Sequence, residues 1–161
     1  MPDSFDVLRD HASAPSRWLE DFEVGETFYI PSRTMTDALF AAFQLASGDN
    51  DPIHYDDHYC KSKGHPGLLA HGMQVLIQTA AGAGTFPRQV CESLVAMLEV
   101  SGRLLKPVYA GDTVYPLLTV ANIAPQKTTG VLTLRAQVWN QHNVQVFEGV
   151  HKYLLRKKPS R

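Results

Sequence analysis

The stretch "HGMQVLIQTAAGAGTF", His71 to Phe86, decides how this chain is read. It opens on a His-Gly pair and then stays apolar on nearly every side, with Gln74 and Gln78, one turn apart, as the main polar exceptions. A helix of that kind belongs inside a protein rather than on its surface. The pattern predicts a buried helix from Gly72 to about Ala83, and the small residues Ala80, Ala81, Gly82, Ala83 and Gly84 suit close packing on a sheet.

Working outward, the downstream half reads as strands. Leu132, Leu134, Ala136 and Val138 alternate with Thr133, Arg135, Gln137 and Trp139, the two-residue period of a half-buried strand. Leu94, Ala96, Leu98 and Val100 alternate in the same way. "TVYPLLTVANI" and "VQVFEGVHKYLL" supply two more strands, and Gln141-His142-Asn143 reads as a hairpin turn. Upstream, a strand is expected around Thr27–Arg33. Thr36 then caps a helix running through "DALFAAFQLAS", with Leu39, Phe40, Phe43 and Leu45 as its apolar face and Gly48 as its stop. The expected fold is α+β: one domain, an antiparallel β-sheet wrapped around a long central helix, the hotdog arrangement. Residues 1–17 read as an N-terminal arm, 18–156 as the domain and 157–161 as a basic tail. An open sheet edge invites pairing with a second copy, so a homodimer is expected, with association beyond the dimer left open.

Bulk composition narrows the class. The 161 residues are 44% hydrophobic and 19% charged, ordinary values for a folded protein, and the net charge is -1. Such a balance offers no electrostatic footprint for nucleic acid or anionic lipid. No apolar run is long enough to span a membrane, and the first residues lack the apolar core of a secretory signal. Cys60 and Cys91 make no disulfide framework, so a cytoplasmic location is expected.

A second stretch, "SGDNDPIHYDDHYC" from Ser47 to Cys60, concentrates the chemistry. His54 and His58 stand four apart and would face one way on a helix, as zinc ligands do. No Cys-x-x-Cys or His-Glu-x-x-His signature supports this, Pro52 and Gly64 leave little room for a helix, and no metal is expected. The plain alternative is that Asp49, Asn50 and Asp51 are turn and cap residues and His54 a satisfied buried histidine. His58, His65, His142 and His151 carry no motif. Cys60 and Cys91 have no adjacent base to activate a thiol.

The larger pattern favours chemistry. "FQLASGDNDPIHYD" resembles the (R)-specific enoyl-CoA hydratase motif of the MaoC-like dehydratase family, an aromatic residue followed by Ser-Gly-Asp-x-Asn-Pro-aliphatic-His. "LLAHGMQVLIQTAAG" resembles the family's central helix, and "LLKPVYAGDTV" resembles the strand-loop beyond it. The three blocks keep the family's order over roughly residues 33–116. The resemblance implies reversible addition of water to a trans-2-enoyl-CoA thioester, with Asp49 and His54 as the acid/base pair and Gly72 holding the thioester oxygen. Ser47, Asp51, Pro52 and His71 would support them. A carboxylate and an imidazole suit proton transfer near neutral pH. No cofactor is implied beyond the coenzyme A carried by the substrate. Arg88, Arg103 and Lys106 are equal candidates for its phosphates.

One departure stands out. Asp51 occupies the family's usual Asn position, replacing an amide that can donate with a carboxylate that accepts. Two other activities fit the fold: a hotdog acyl-CoA thioesterase, and a non-catalytic acyl-CoA-binding module.

Overall fold

The computed structural model describes residues 15–159. Six strands form one antiparallel sheet: β1 (Thr27–Tyr29), β2 (Arg33–Thr34), β3 (Leu94–Leu104), β4 (Thr113–Pro125), β5 (Thr129–Asn140) and β6 (Gln145–Arg156). Their order is β1-β4-β5-β6-β3, with β2 also paired to β4. The last three strands make a meander, and β3 closes back on β6. This is an α+β hotdog domain. Residues 1–14 and 160–161, the ends of the expected arm and tail, lie outside the described residues. Arg17, Lys157 and Lys158 are tied to the domain by ion pairs with Glu26, Glu20 and Asp21.

The sheet's inner face follows the alternation. Leu132, Leu134, Ala136 and Val138 are all fully buried, as are Leu118, Val114, Val146 and Leu155 on the flanking strands. Gly102 and Gly149 face each other across β3 and β6. The ring of Phe147 occupies the space where a side chain at either position would stand, so a Cβ there would collide with it.

Helix α1 (Asp37–Ser47) begins and ends as its residues dictate. Thr36 Oγ1 accepts the Leu39 N–H at 3.3 Å, and Gly48 terminates the helix with φ 74° while its N–H reaches Gln44 O. Its apolar face is narrower than expected. Phe40 is buried, Leu39 and Phe43 are half-buried, and Leu45 is exposed.

Two sequence expectations need correction. The strand expected over Thr27–Arg33 is two short pieces, separated by a segment containing Pro31, which has no N–H to give a ladder. The central helix is likewise shorter. After α2 (Asp57–Ser62), helix α3 spans only Gly72–Ile77. The chain turns extended at Ala80, makes one 3₁₀ turn over Ala81–Ala83, and resumes as α4 (Phe86–Gln89). The Thr79 hydroxyl donates to Leu76 O, a local bond that competes with helix continuation, and the glycines beyond have low helix propensity. Nor is α3 covered all round: Met73 is 64% and Ile77 46% exposed.

Strand β3 ends the sheet. Leu94, Val95, Met97, Leu98, Val100 and Leu104 are all exposed on it, with apolar residues on both faces. An uncovered apolar end strand marks an interaction surface.

Candidate active site

The loop from Ser47 to His54 is built by its own short side chains. Ser47 Oγ donates to Phe43 O and accepts the Asp49 N–H, tying the loop to the end of α1. Asn50 Oδ1 takes a hydrogen bond from Gln44 Nε2 at 2.6 Å. Asp51 Oδ1 accepts the Ile53 N–H at 3.0 Å and caps a 3₁₀ turn, Pro52–His54, with Pro52 in its first position. The Asp51 carboxylate therefore does what an asparagine side-chain oxygen would do. Asp and Asn rank alike as caps, which explains how this chain carries Asp at that place.

His54 is oriented from outside the loop. Its Nδ1 lies 2.7 Å from the Leu69 carbonyl oxygen. That oxygen can only accept, so Nδ1 carries a hydrogen, and in the neutral ring the lone pair is on Nε2. Leu69 is held in turn, because its N–H and the Cys60 thiol both donate to Ile53 O. Nε2 faces Asp49 Oδ2 across 4.0 Å, a gap too long for a direct bond and suited to one bridging water. The imidazole is 11% exposed and the carboxylate 51%, so the pair has a protected side and an open one.

His71 lies beneath them, 1% exposed. Its ring stacks on His54 with centroids 3.6 Å apart and 21° between planes, and Phe43 closes the other side at 4.9 Å. His71 Nε2 lies 3.2 Å from Asp49 O, and Nδ1 lies 3.4 Å from Gln74 Oε1. Asp49, His54 and His71 thus bring ligand-type atoms within 4.8 Å of one another. Their geometry is a poor chelate. A metal lies in the plane of each ring that binds it, and two nearly parallel stacked planes aim their lone pairs side by side.

Gly72 follows at the start of α3, where the first N–H groups have no partner within the helix. A Cβ there would meet Leu104 Cδ1 at 2.5 Å, so the glycine lets β3 and the helix close together. A cavity of about 330 Å³ opens beside these residues, lined by His54, Leu69, Gly72, Val75, Leu104 and Lys106 among others. Grooves of about 590 and 410 Å³ lie elsewhere, around Tyr29, Tyr115 and Trp139 and around Arg103, Arg135 and Glu148. Neither is lined by an imidazole, whereas the smaller cavity is lined by that of His54.

The remaining polar residues of the loop region are structural. Asp56 caps α2 through the Tyr59 N–H, Asp57 pairs with Lys61, and Cys60 is buried. In "GDT", Asp112 closes a turn by accepting the Tyr109 N–H and a hydrogen from Gln141. Two contributors escaped the sequence. The Leu69 carbonyl and the Leu104 wall have no side-chain signature, whereas Gln74 was visible as a polar residue three places after His71 on an apolar helix.

Comparison with known proteins identifies the family. The family model described as MaoC like domain matches residues 21–148. The chain belongs to that family. Among relatives of the MaoC-like chain is a mitochondrial 3-hydroxyacyl-[acyl-carrier-protein] dehydratase of Arabidopsis thaliana, 26% identical, covering 85% of this chain and 78% of that one. An uncharacterised Bacillus subtilis protein is also 26% identical, over 86% and 99%. An Archaeoglobus protein described as a monoamine oxidase regulatory protein superposes with TM-score 0.84 at 25% identity, covering 91% of this chain and 99% of its own. An R-hydratase of Pseudomonas aeruginosa gives 0.73 at 22%, covering 88% and 86%, a likeness of fold.

Proposed function

We propose that this MaoC-like protein is an (R)-specific enoyl-CoA hydratase, acting in reverse as a 3-hydroxyacyl-CoA dehydratase. The observation that carries the proposal is the 4.0 Å gap between Asp49 Oδ2 and the Nε2 of His54, a residue that lines the cavity. One water held there accepts no hydrogen from either group, so both of its hydrogens point at the pair and its oxygen lone pairs face the substrate. The oxygen bonds to C3 while Nε2 takes a proton and Asp49 orients the other O–H. The proton on Nε2 then passes to C2, leaving water added across the double bond and the imidazole restored. The thioester oxygen gains negative charge in between. The Gly72 N–H is the donor for it, and losing one such donor costs about 10²–10³ in turnover.

Their surroundings favour one of the three candidates for the coenzyme A phosphates. Lys106 lines the cavity, Arg103 is paired with Glu148, and Arg88 sits on α4 outside the cavity lining. Lys106 is our choice. The exposed apolar residues of β3, with Met73 and Ile77 on α3, support a homodimer formed through that edge. Both thiols are free, and we place the protein in the cytoplasm. No metal or redox cofactor enters this scheme.

The test mixes purified protein with crotonyl-CoA. Loss of the conjugated enoyl-thioester absorbance without thiol release is expected. Thiol release would identify a thioesterase, and no change with short, branched or dicarboxylic enoyl-CoAs would favour a non-catalytic binding module. Stoichiometric zinc in the purified protein would overturn the metal-free scheme.

A further inference from the structure

We propose that His71 and Gln74 are positioning residues that together set the spacing of Asp49 and His54. One buried ring touches both members of the pair. Its face lies on the His54 imidazole at 3.6 Å, and its Nε2 reaches the backbone carbonyl of Asp49 at 3.2 Å. A shift of this ring therefore moves the tilt of His54 and the placement of the Asp49 carboxylate at once.

Gln74 holds the ring. Its Nε2 donates to Leu39 O in α1 at 2.9 Å, and that bond fixes which way the amide faces. Oε1 is thereby aimed at His71 Nδ1, 3.4 Å away. Gln74 is 3% exposed, and Gln78 Nε2 donates to its backbone carbonyl one turn on. The path runs from α1, through an amide on α3, through an imidazole at the start of α3, to the loop that leaves α1. It closes a ring of contacts around the catalytic loop. The rings of Phe40 and Phe43 pack against His71, with centroids 6.5 and 4.9 Å away.

A glutamine on an otherwise apolar helix face is costly unless its amide is satisfied. Here the amide N–H is bonded to Leu39 O while Oε1 stands against the edge of the His71 ring, and what this contact secures is the geometry of two residues outside the helix. Displacing a catalytic group by about 1 Å can cost on the order of 10²-fold in rate. The relay acts on that displacement without touching substrate.

The experiment compares His71→Leu, His71→Gln and Gln74→Leu with the full wild-type chain, each first shown to be folded by circular dichroism. Two readouts are taken: crotonyl-CoA hydration kinetics, and the side-chain Hε1 resonance of His54, assigned by its loss in His54→Ala. In His71→Leu the stacked ring is gone, and Hε1 moves downfield as ring-current shielding is lost. Turnover falls about tenfold to a hundredfold in His71→Leu and Gln74→Leu while KM holds within about threefold. His71→Gln, which returns an N–H to the Asp49 carbonyl, recovers part of that turnover. An unmoved Hε1 signal, turnover within about twofold of wild type in the folded Leu variants, or a His71→Gln no better than His71→Leu would overturn the proposal. The kinetic arm rests on the hydratase proposal above. If the wild type hydrates no enoyl thioester, that proposal fails and the His54 resonance in Gln74→Leu decides the relay alone: the His71 ring is retained there, so a moved Hε1 reports its displacement and an unmoved one overturns the relay.

Discussion

His54 and His151 are both held by hydrogen bonds, and the difference between their surroundings separates the imidazole we propose to be catalytic from a structural one. His151, on the inner face of β6, is 2% exposed. The Thr79 hydroxyl spends its hydrogen on Leu76 O and so accepts from His151 Nε2 at 3.0 Å. That leaves Nδ1 to accept from the Tyr153 hydroxyl at 3.2 Å. Both nitrogens are used, and burial pushes the His151 value down and the Tyr153 value up to about 12. His54 has one nitrogen committed to Leu69 O and the other facing Asp49 across a gap beside a cavity. A group that exchanges protons with a substrate must keep one position open. A group that closes every position serves the core.

The contrast is broken most sharply at the open site. Asp49→Asn and His54→Ala should each lower kcat/KM by about 10²–10⁴, with thermal stability nearly unchanged. Steady-state kinetics beside a melting curve checks this, and a folded variant with full activity would refute the assignment. At the closed site the expectation is reversed. His151→Leu leaves the Tyr153 hydroxyl buried without its acceptor, at a cost of about 1–3 kcal/mol, while activity per folded molecule persists. Denaturant titration reads the loss.

Acid sharpens the same comparison. The folded-state value of His151 lies below its ordinary 6.5 because burial disfavours the charged ring. The unfolded chain therefore takes up the proton first. The contribution to stability is complete above about pH 6.5 and is lost as pH falls from there through the lower folded value. Unfolding at pH 7.5 and pH 5.5 should show a smaller acid loss in His151→Gln than in wild type. Equal losses would mean that this ring does not carry the dependence. The smallest effect is expected at the cap: Asp51→Asn should be nearly silent in stability and turnover, whereas Asp51→Ala should cost about 1 kcal/mol.

Much of this was legible in the residues. The alternation of Leu132 to Val138 gave an inner face that is fully buried, and Thr36 and Gly48 marked both ends of α1. The spacing of Asp49 and His54 across Pro52 pointed to two side chains turned toward each other, and they approach to 4.0 Å. The helix after His71 was read too long because its end depends on the Thr79 hydroxyl and on the extended backbone at Ala80, choices that an apolar pattern does not encode. Strand β3 read as a half-buried alternating strand although it is exposed on both faces, because a strand awaiting cover has the composition of one already covered. The cap role of Asp51 was open to a plain reading of the turn, but the family pattern drew attention elsewhere. A carboxylate in place of an amide signals altered chemistry until the Ile53 N–H is seen to need only an acceptor.

The most direct test of the Asp49–His54 pair is mass and chiral analysis of the product formed from crotonyl-CoA in ¹⁸O-labelled water. The account predicts (R)-3-hydroxybutyryl-CoA carrying the label at C3, formed by wild type and not by Asp49→Asn. Unlabelled crotonyl-CoA, free coenzyme A, or equal product from both proteins would contradict it.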